Sequence, residues 1–294
     1  NLLRKNKFQT KNQSLRFKNQ SHQYKNPSQT CQRLSRIRPP KRMKRQRNPL
    51  RKDHRQHKMK ILKEIDADVV GCVELENIDI LKAMVLDMMP GSGYKYFGAT
   101  NSNSGRGIQI GVMSKLPILS ITSHKFRDLK LPNERKTWHF ARDLVQVTVQ
   151  VTDKQILDLF IVHLKSKRSV SGDPNSNKWR LAEVTMAKQI IEQTHKTHPD
   201  HWIAFMGDFN DTPDSGTIKH LLDDKTILFD THDHIPADKR ITYLHKPYRS
   251  TIDYIFVGPQ MLKRLDRKQS GLPADESKLT GSDHAPVYST FDLN

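Results

Sequence analysis

Short apolar runs alternate with helical patterns from Ile61 onward, and the turns between them carry Gly, Pro, Asn and Asp. This alternation predicts an α/β domain. In residues 144–151 the apolar and polar positions alternate strictly, as in a strand with one buried face. The same criteria predict strands over 68–74, 108–113, 144–151, 157–163, 202–207, 251–257 and 286–291.

Helical periodicity is clear in two segments, residues 78–89 and a longer stretch from Asn177 to about His195. In the longer stretch the apolar residues recur at helical spacing, which predicts a core-facing stripe of Trp179, Ala182, Met186, Ala187, Ile190 and Ile191. Residues 122–138 and 223–242 are polar and are predicted to be long loops. Long loops on such a scaffold often shape the substrate surface.

The first 60 residues have a different composition. They contain 20 of the 50 Lys and Arg residues but only one of the 31 acidic residues, so the net charge of +19 comes from this segment and residues 61–294 are neutral. They also lack Ala, Gly, Val and Glu entirely. We therefore divide the chain into a basic low-complexity segment, 1–60, and a folded domain, 61–294.

Two interpretations of residues 1–60 are open. The segment is either a disordered basic tail that adds salt-sensitive affinity for nucleic acid, or a frameshifted stretch that replaces the native start of the domain. The two cysteines, Cys31 in this segment and Cys72 in an apolar run, do not form a disulfide framework, and Cys72 is expected in the core.

Several predicted strands begin or end in residues that carry chemistry. Glu74, His163, Asp208 and Asp253 belong to four segments in which an apolar strand ends in polar groups, and His284 lies where a fifth strand begins. Charged groups at such positions are costly to bury unless they are paired or bind a metal. Five such strand ends predict one shared site at the rim of a sheet.

The motifs at these strand ends resemble those of the endonuclease/exonuclease/phosphatase superfamily. The resemblance covers Ile61 to the C-terminus and rests on residues 66–77 (DADVVGCVELEN), 160–168 (FIVHLKSKR), 207–215 (GDFNDTPDS), 250–258 (STIDYIFVG) and 281–287 (GSDHAPV). It implies a DNase I-like fold, a four-layered αββα sandwich with the site at one end of the sheets.

The resemblance also implies a role for each motif residue. Glu74 and Asp283 match metal-site carboxylates, which suit a hard cation such as Mg²⁺, with Mn²⁺ or Ca²⁺ as substitutes. The catalytic candidates are the strand-end histidine, the Gly-Asp-x-Asn pair and the acid–histidine pair, that is His163, Asp208, Asn210, Asp253 and His284. Three basic residues are weaker candidates for substrate binding: Arg106, Arg142 and Lys165.

The implied activity is metal-dependent hydrolysis of DNA or RNA phosphodiester bonds, with nucleic acid as the partner and a monomer as the expected state. One alternative is a sphingomyelinase-like lipid phosphodiesterase, but the predicted loops are polar. Another is a catalytically impaired nucleic-acid-binding protein. No run has the 18 or more apolar residues of a membrane span. The similarity to bacterial nucleases favours a secreted or periplasmic protein, although no leader is visible.

The catalytically impaired alternative depends on a missing feature. Members of this superfamily start with a strand that ends in an Asn of the metal site, and no such strand is recognisable before Ile61. Asn12, Asn19 and Asn26 lie among Lys, Gln and Ser, so none is assigned this role. We therefore expect the N-terminal strand to be absent or disordered.

Overall fold

The computed structural model describes residues 11–18, 59–223, 226–273 and 282–293. Within these residues the strands form two six-stranded sheets. Sheet A runs in the order β11 (Leu265–Gly271), β12 (Val287–Asp292), β1 (Lys11–Lys18), β2 (Val69–Leu75), β4 (Gln109–Ser114), β3 (Tyr96–Thr100). Sheet B runs in the order β5 (Ile118–Ser123), β6 (Leu144–Gln150), β7 (Ile156–His163), β8 (Trp202–Asp208), β10 (Asp253–Val257), β9 (Phe229–Asp230).

Helices cover the outer faces of the two sheets. Residues 59–65 (α1) and Ile78–Met88 (α2) lie on sheet A, whereas Asn177–Thr197 (α3) and Gly216–Leu221 (α4) lie on sheet B. A short helix, Pro259–Leu262 (α5), follows β10. Asn77 caps α2, because its side chain accepts the Ile80 N–H at 2.9 Å. No helix of the described residues is long and apolar enough to cross a membrane.

The central strands are apolar on both sides because both faces of each sheet are covered. In β8, Ala204 and Met206 point into the core between the sheets, and Ile203 and Phe205 pack under α3 and α4. Cys72 lies fully buried beneath the helices of sheet A, as the sequence predicted. These layers confirm the predicted four-layered αββα sandwich.

One part of the fold prediction is wrong: a strand precedes Ile61. Residues Lys11–Lys18 form β1, which pairs parallel with β12 and antiparallel with β2. Because β1 lies in the middle of sheet A, Leu15 and Phe17 are buried between the two sheets, although the residues around them in the sequence are basic and polar. The only sequence pattern that indicates this strand is the pair of apolar residues Leu15 and Phe17, two positions apart. Residues 1–10 and 19–58 of the basic segment, including Cys31, lie outside the described residues.

The sequence also missed four other strands, namely β3, β5, β9 and β11. All four are at the edges of the sheets. An edge strand has one hydrogen-bonded neighbour and buries little surface, so it lacks a strong apolar pattern. In β5, for example, every residue after Ile118 is exposed.

Candidate active site

Three neighbouring strands of sheet B place their polar ends side by side. His163 ends β7 and pairs with Asp208 at the end of β8, and Asp208 in turn pairs with Asp253 at the start of β10. Because β7 and β8 are parallel and β10 is antiparallel to them, these three ends lie at one edge of the sheet. The strand register therefore places the three side chains in adjacent rows.

His284 reaches this edge from the other sheet. It lies just before β12, and its Nδ1 is 2.7 Å from Asp253 Oδ2. The neighbouring backbone holds it there: the Ala285 N–H donates to the Thr242 carbonyl oxygen at 2.7 Å. Thr242 Oγ1 also accepts the Asp253 N–H at 3.0 Å, so one loop residue ties both members of the pair in place.

The resulting cluster is compact and almost completely buried. His163 Nε2 lies 3.5 Å from Asp208 Oδ2, and potential ligand atoms of Asp208, Asp253 and His284 all lie within 4.8 Å of one another. All four side chains are at most 3% exposed. Two carboxylates this close and this deeply buried require compensating positive charge, from imidazolium, a metal ion or both.

The turn after β8 fixes Asp208. The Asn210 N–H donates to Asp208 Oδ1 at 2.8 Å, and the Asn210 amide donates to the Leu164 carbonyl oxygen at 3.0 Å. Gly207, just before Asp208, has φ +149°, and a Cβ at this position would lie 1.9 Å from the Val162 carbonyl oxygen. Only glycine allows β8 to approach β7 this closely.

The two predicted metal-site carboxylates differ in their surroundings. Glu74 has the positive φ of +58°, a side chain only 10% exposed, and an ion pair with Arg106 at 3.1 Å. Asp283 Oδ1 is buried and accepts no hydrogen bond from any described residue. A buried carboxylate oxygen that accepts no hydrogen bond is well suited to bind a cation. Among the described residues, the buried group of Asp208, Asp253 and His284 is the set whose ligand atoms lie close enough together to hold a divalent metal ion.

Arg142 lies between the carboxylates of the two sheets. Its guanidinium donates to the Leu164 carbonyl oxygen at 2.7 Å, and the charges of Glu74 and Asp208 both act on it. Burial lowers its pKa, and the negative charge of Glu183 opposes this effect. Arg106 thus pairs with Glu74, and Arg142 lies within electrostatic range of Glu74 and Asp208.

Lys165 is placed differently. Its Nζ donates to the backbone carbonyl oxygens of Ser166 and Arg168 at 3.0 Å each, and lies 5.6 Å from the centre of the Trp179 ring. Burial lowers the pKa of this amine. Its described contacts are with the loop that follows His163 and with α3, and none of them is with the catalytic cluster.

Two supporting side chains on α3 escaped the sequence analysis. Glu183 accepts the backbone N–H groups of Ala141 and Lys165 at 2.7 and 2.8 Å, and burial raises its pKa to about 7. Arg180 is fully buried and pairs with Asp211 at 3.0 Å. Charged residues within the apolar stripe of α3 were the available signal, because such residues are rarely buried without partners.

Gln13 is a third residue that the sequence did not indicate. Its Nε2 donates to Asp253 Oδ1 at 3.0 Å, so the Asp253 carboxylate is held by β1 on one oxygen and by His284 on the other. Gln13 lies in the basic segment, where residue composition predicts no fold and no pattern marks this position.

The sandwich, with paired carboxylates and histidines at one end of its sheets, defines a hydrolytic enzyme of phosphoester bonds. Residues 41–269 match the sequence profile of the Endonuclease/Exonuclease/phosphatase family, and the chain belongs to this family. Its members are hydrolases that act on phosphoester bonds and typically use divalent metals. Comparison with curated protein sequences gave no significant match.

Solved structures share this fold at low sequence identity. The human Nocturnin catalytic domain with bound sulfate is 14% identical, with a TM-score of 0.59 over 79% of this chain and 83% of that one. An endonuclease/exonuclease/phosphatase family protein from Leptotrichia buccalis is 16% identical, with a TM-score of 0.56 over 80% and 90%. ANGEL2, a 2′,3′-cyclic phosphatase, is 16% identical, with a TM-score of 0.56 over 81% and 86%.

Proposed function

We propose that this protein is a divalent-metal-dependent nuclease that hydrolyses phosphodiester bonds of DNA or RNA. The observation that carries the proposal is the buried cluster in which His163 lies 3.5 Å from Asp208 and His284 lies 2.7 Å from Asp253. A phosphodiester is an anion that resists nucleophiles. Its hydrolysis needs an oriented water, positive charge at the phosphorus and a proton for the leaving oxygen.

Each of these requirements has a candidate residue. Asp208, held by the Asn210 N–H, is placed to orient the attacking water and to take its proton. Asp253 accepts a hydrogen bond from His284 Nδ1, which fixes the imidazole tautomer and stabilises its charged form next to the phosphate. His163 is the candidate that donates a proton to the leaving oxygen, and Arg142 supplies a further positive charge near the phosphate.

The metal has its own candidate ligands. Glu74 and Asp283 would hold Mg²⁺, for which Mn²⁺ or Ca²⁺ can substitute. When bound, the ion neutralises charge on the phosphate and polarises the P–O bonds. The carboxylate oxygens of Glu74 and Asp283 favour a hard cation of this kind.

The test is a parallel digestion of plasmid DNA, RNA and sphingomyelin vesicles with Mg²⁺, with Mn²⁺ and with EDTA. We expect cleavage of nucleic acid with either metal and none with EDTA. Undiminished cleavage in EDTA would contradict the metal requirement. Hydrolysis of sphingomyelin alone would replace the nuclease by the lipid phosphodiesterase, and inactivity on all three would leave a nucleic-acid-binding protein.

A further inference from the structure

A loop of aromatic and basic residues lies beside His284. It comprises residues 243–249, here called the Tyr248 loop, and contains Tyr243, His245, Lys246, Tyr248 and Arg249. Its first residue forms a backbone bridge with His284, and the Leu244 N–H donates to the Asp283 carbonyl oxygen at 2.8 Å. The loop is therefore attached directly to the segment that carries two site residues.

The rings of this loop form a continuous series that starts at the catalytic cluster. The Tyr243 ring lies 5.0 Å from His284 and 6.0 Å from His245, measured between ring centroids. The His245 ring lies 6.5 Å from that of Tyr248, with an angle of only 18° between their planes. The series leads from a buried histidine to an aromatic ring at the surface.

The outer end of the series is open to solvent. Tyr248 is 68% exposed, which leaves a large flat ring without the burial that normally accounts for an aromatic residue. Its neighbours His245, Lys246 and Arg249 are also exposed. Exposed rings interleaved with cationic side chains are the combination by which proteins bind single-stranded nucleic acid: bases stack on the rings and phosphates meet the cations.

We propose that the Tyr248 loop is a base-stacking subsite, in which Tyr248 binds the base of a nucleotide next to the scissile phosphate. The inference rests on the proposed nuclease function and adds a substrate class: single-stranded or unpaired nucleic acid. In a duplex the faces of the bases are covered by their neighbours, so Tyr248 has nothing to stack on. A membrane-inserting loop would carry apolar residues at its tip, where this loop has Lys246 and Pro247.

The kinetic test compares Tyr248→Ala with wild type on a single-stranded oligonucleotide with one cleavage site. We expect KM to rise about 10- to 100-fold, as for loss of one stacked base, while kcat changes by less than about threefold. Tyr248→Phe should retain the wild-type KM. The penalty should disappear on an oligonucleotide whose nucleotides beside the cleavage site lack bases. An unchanged KM, or an equal penalty on the base-free oligonucleotide, would overturn the inference.

Phe229→Ala is the matched control. Phe229 is also a partly exposed aromatic residue, but it pairs with Val257 at the opposite end of β10 from Asp253. Its replacement should leave KM unchanged. A KM increase equal to that of Tyr248→Ala would show a general loss of aromatic surface and would contradict a local subsite.

A binding measurement separates this inference from the proposed function. An oligonucleotide with the fluorescent base 2-aminopurine is titrated with protein in EDTA, where no cleavage is expected. Quenching by wild type and Tyr248→Phe, but not by Tyr248→Ala, would support stacking even if nuclease activity were absent. Equal quenching by wild type and Tyr248→Ala would refute the subsite, as would a Tyr248→Ala defect confined to sphingomyelin vesicles.

Discussion

Asp253 is a site residue to which several surrounding groups are hydrogen-bonded. One carboxylate oxygen accepts from His284 and the other from Gln13, and its backbone N–H is bound by Thr242. Gln13 of β1, His284 before β12 and Thr242 of the loop before β10 thus together restrain this one residue of sheet B. Such restraint matters because a charged acid–histidine pair works only if the imidazole keeps its tautomer and orientation.

Replacement of the clustered groups should abolish most turnover. We expect His163→Ala, Asp208→Ala and His284→Ala each to lower kcat by about 100-fold or more, the scale for losing a general acid, a general base or an electrostatic stabiliser. His198→Ala, at an exposed histidine beyond the end of α3, is the control and should retain full activity. Steady-state kinetics on folded proteins, checked by circular dichroism, decide whether the assignment holds.

Glu183 should make stability depend on pH. Burial raises its pKa to about 7, above the value of about 4.3 expected in the unfolded chain, so the folded protein binds this proton more tightly. The stabilisation is complete below the unfolded pKa and is lost as the pH rises through about 7. The linked change in the free energy of unfolding is on the order of 3 kcal/mol.

The measurement is urea unfolding between pH 4 and 8 of wild type, Glu183→Gln and Glu192→Gln, the last at a half-exposed position on the same helix. Glu183→Gln should lose this pH-dependent component. It should also be less stable by about 1–3 kcal/mol, because the amide cannot accept both N–H groups. If Glu192→Gln and Glu183→Gln show the same pH dependence, Glu183 does not carry the effect.

Among the elements, β1 connects the two halves of sheet A. It separates β12 from β2, and its side chains reach both the inter-sheet core and the Asp253 carboxylate. Residues 11–18 therefore do not behave as part of a dispensable tail. Removing them would expose two unpaired strand edges in the centre of sheet A.

Phe17→Ala tests the contribution of β1. Phe17 is 5% exposed, and its ring centre lies 6.1 Å from that of Trp202 and 5.9 Å from that of Phe291. We expect the free energy of unfolding to fall by about 3–5 kcal/mol, the usual range for a core Phe→Ala substitution. Phe126→Ala, at a ring 73% exposed, should change it by less than about 0.5 kcal/mol. Similar values for the two variants in urea unfolding would argue against a packed β1.

For the whole molecule, the uneven charge distribution is the main expected influence on nucleic-acid affinity. The net charge of +19 is concentrated in residues 1–60, whereas residues 61–294 are neutral. Basic side chains that neutralise phosphates release counterions, so affinity falls as salt concentration rises. If the segment is a genuine basic arm, much of this salt dependence should originate in it.

A matched pair of charge variants tests this expectation. Replacing three basic residues of the segment by Gln should weaken oligonucleotide binding at low salt and reduce the slope of log K against log salt, by up to about 0.7 per lost phosphate contact on a single strand. Fluorescence anisotropy at several NaCl concentrations measures both. The segment variant changes Lys41, Arg42 and Lys44, and the control changes the exposed Lys82, Lys154 and Lys196. Equal slopes for the two variants would rule out a special role of the segment.

Much of the fold could be predicted from the sequence because central strands and amphipathic helices carry strong local patterns. The runs that became β2, β7, β8 and β10 are continuous or alternating apolar stretches, and α3 has a clear stripe. The five missed strands lack such a signal: four are polar edge strands, and β1 lies in a segment whose composition indicates disorder.

For the site, the sequence by itself determined which residue types stand at the ends of which strands, since an apolar run followed by a polar turn is a local property. Only the tertiary structure decided which ends meet: the register aligns His163, Asp208 and Asp253, and the second sheet delivers His284. The pairing of Gln13 with Asp253 has no sequence signal at all, and the burial of Glu183 has only a weak one, a charged residue within the apolar stripe of α3. These contacts join residues far apart in the chain, and their energy depends on burial and strand partnering, which no local pattern encodes.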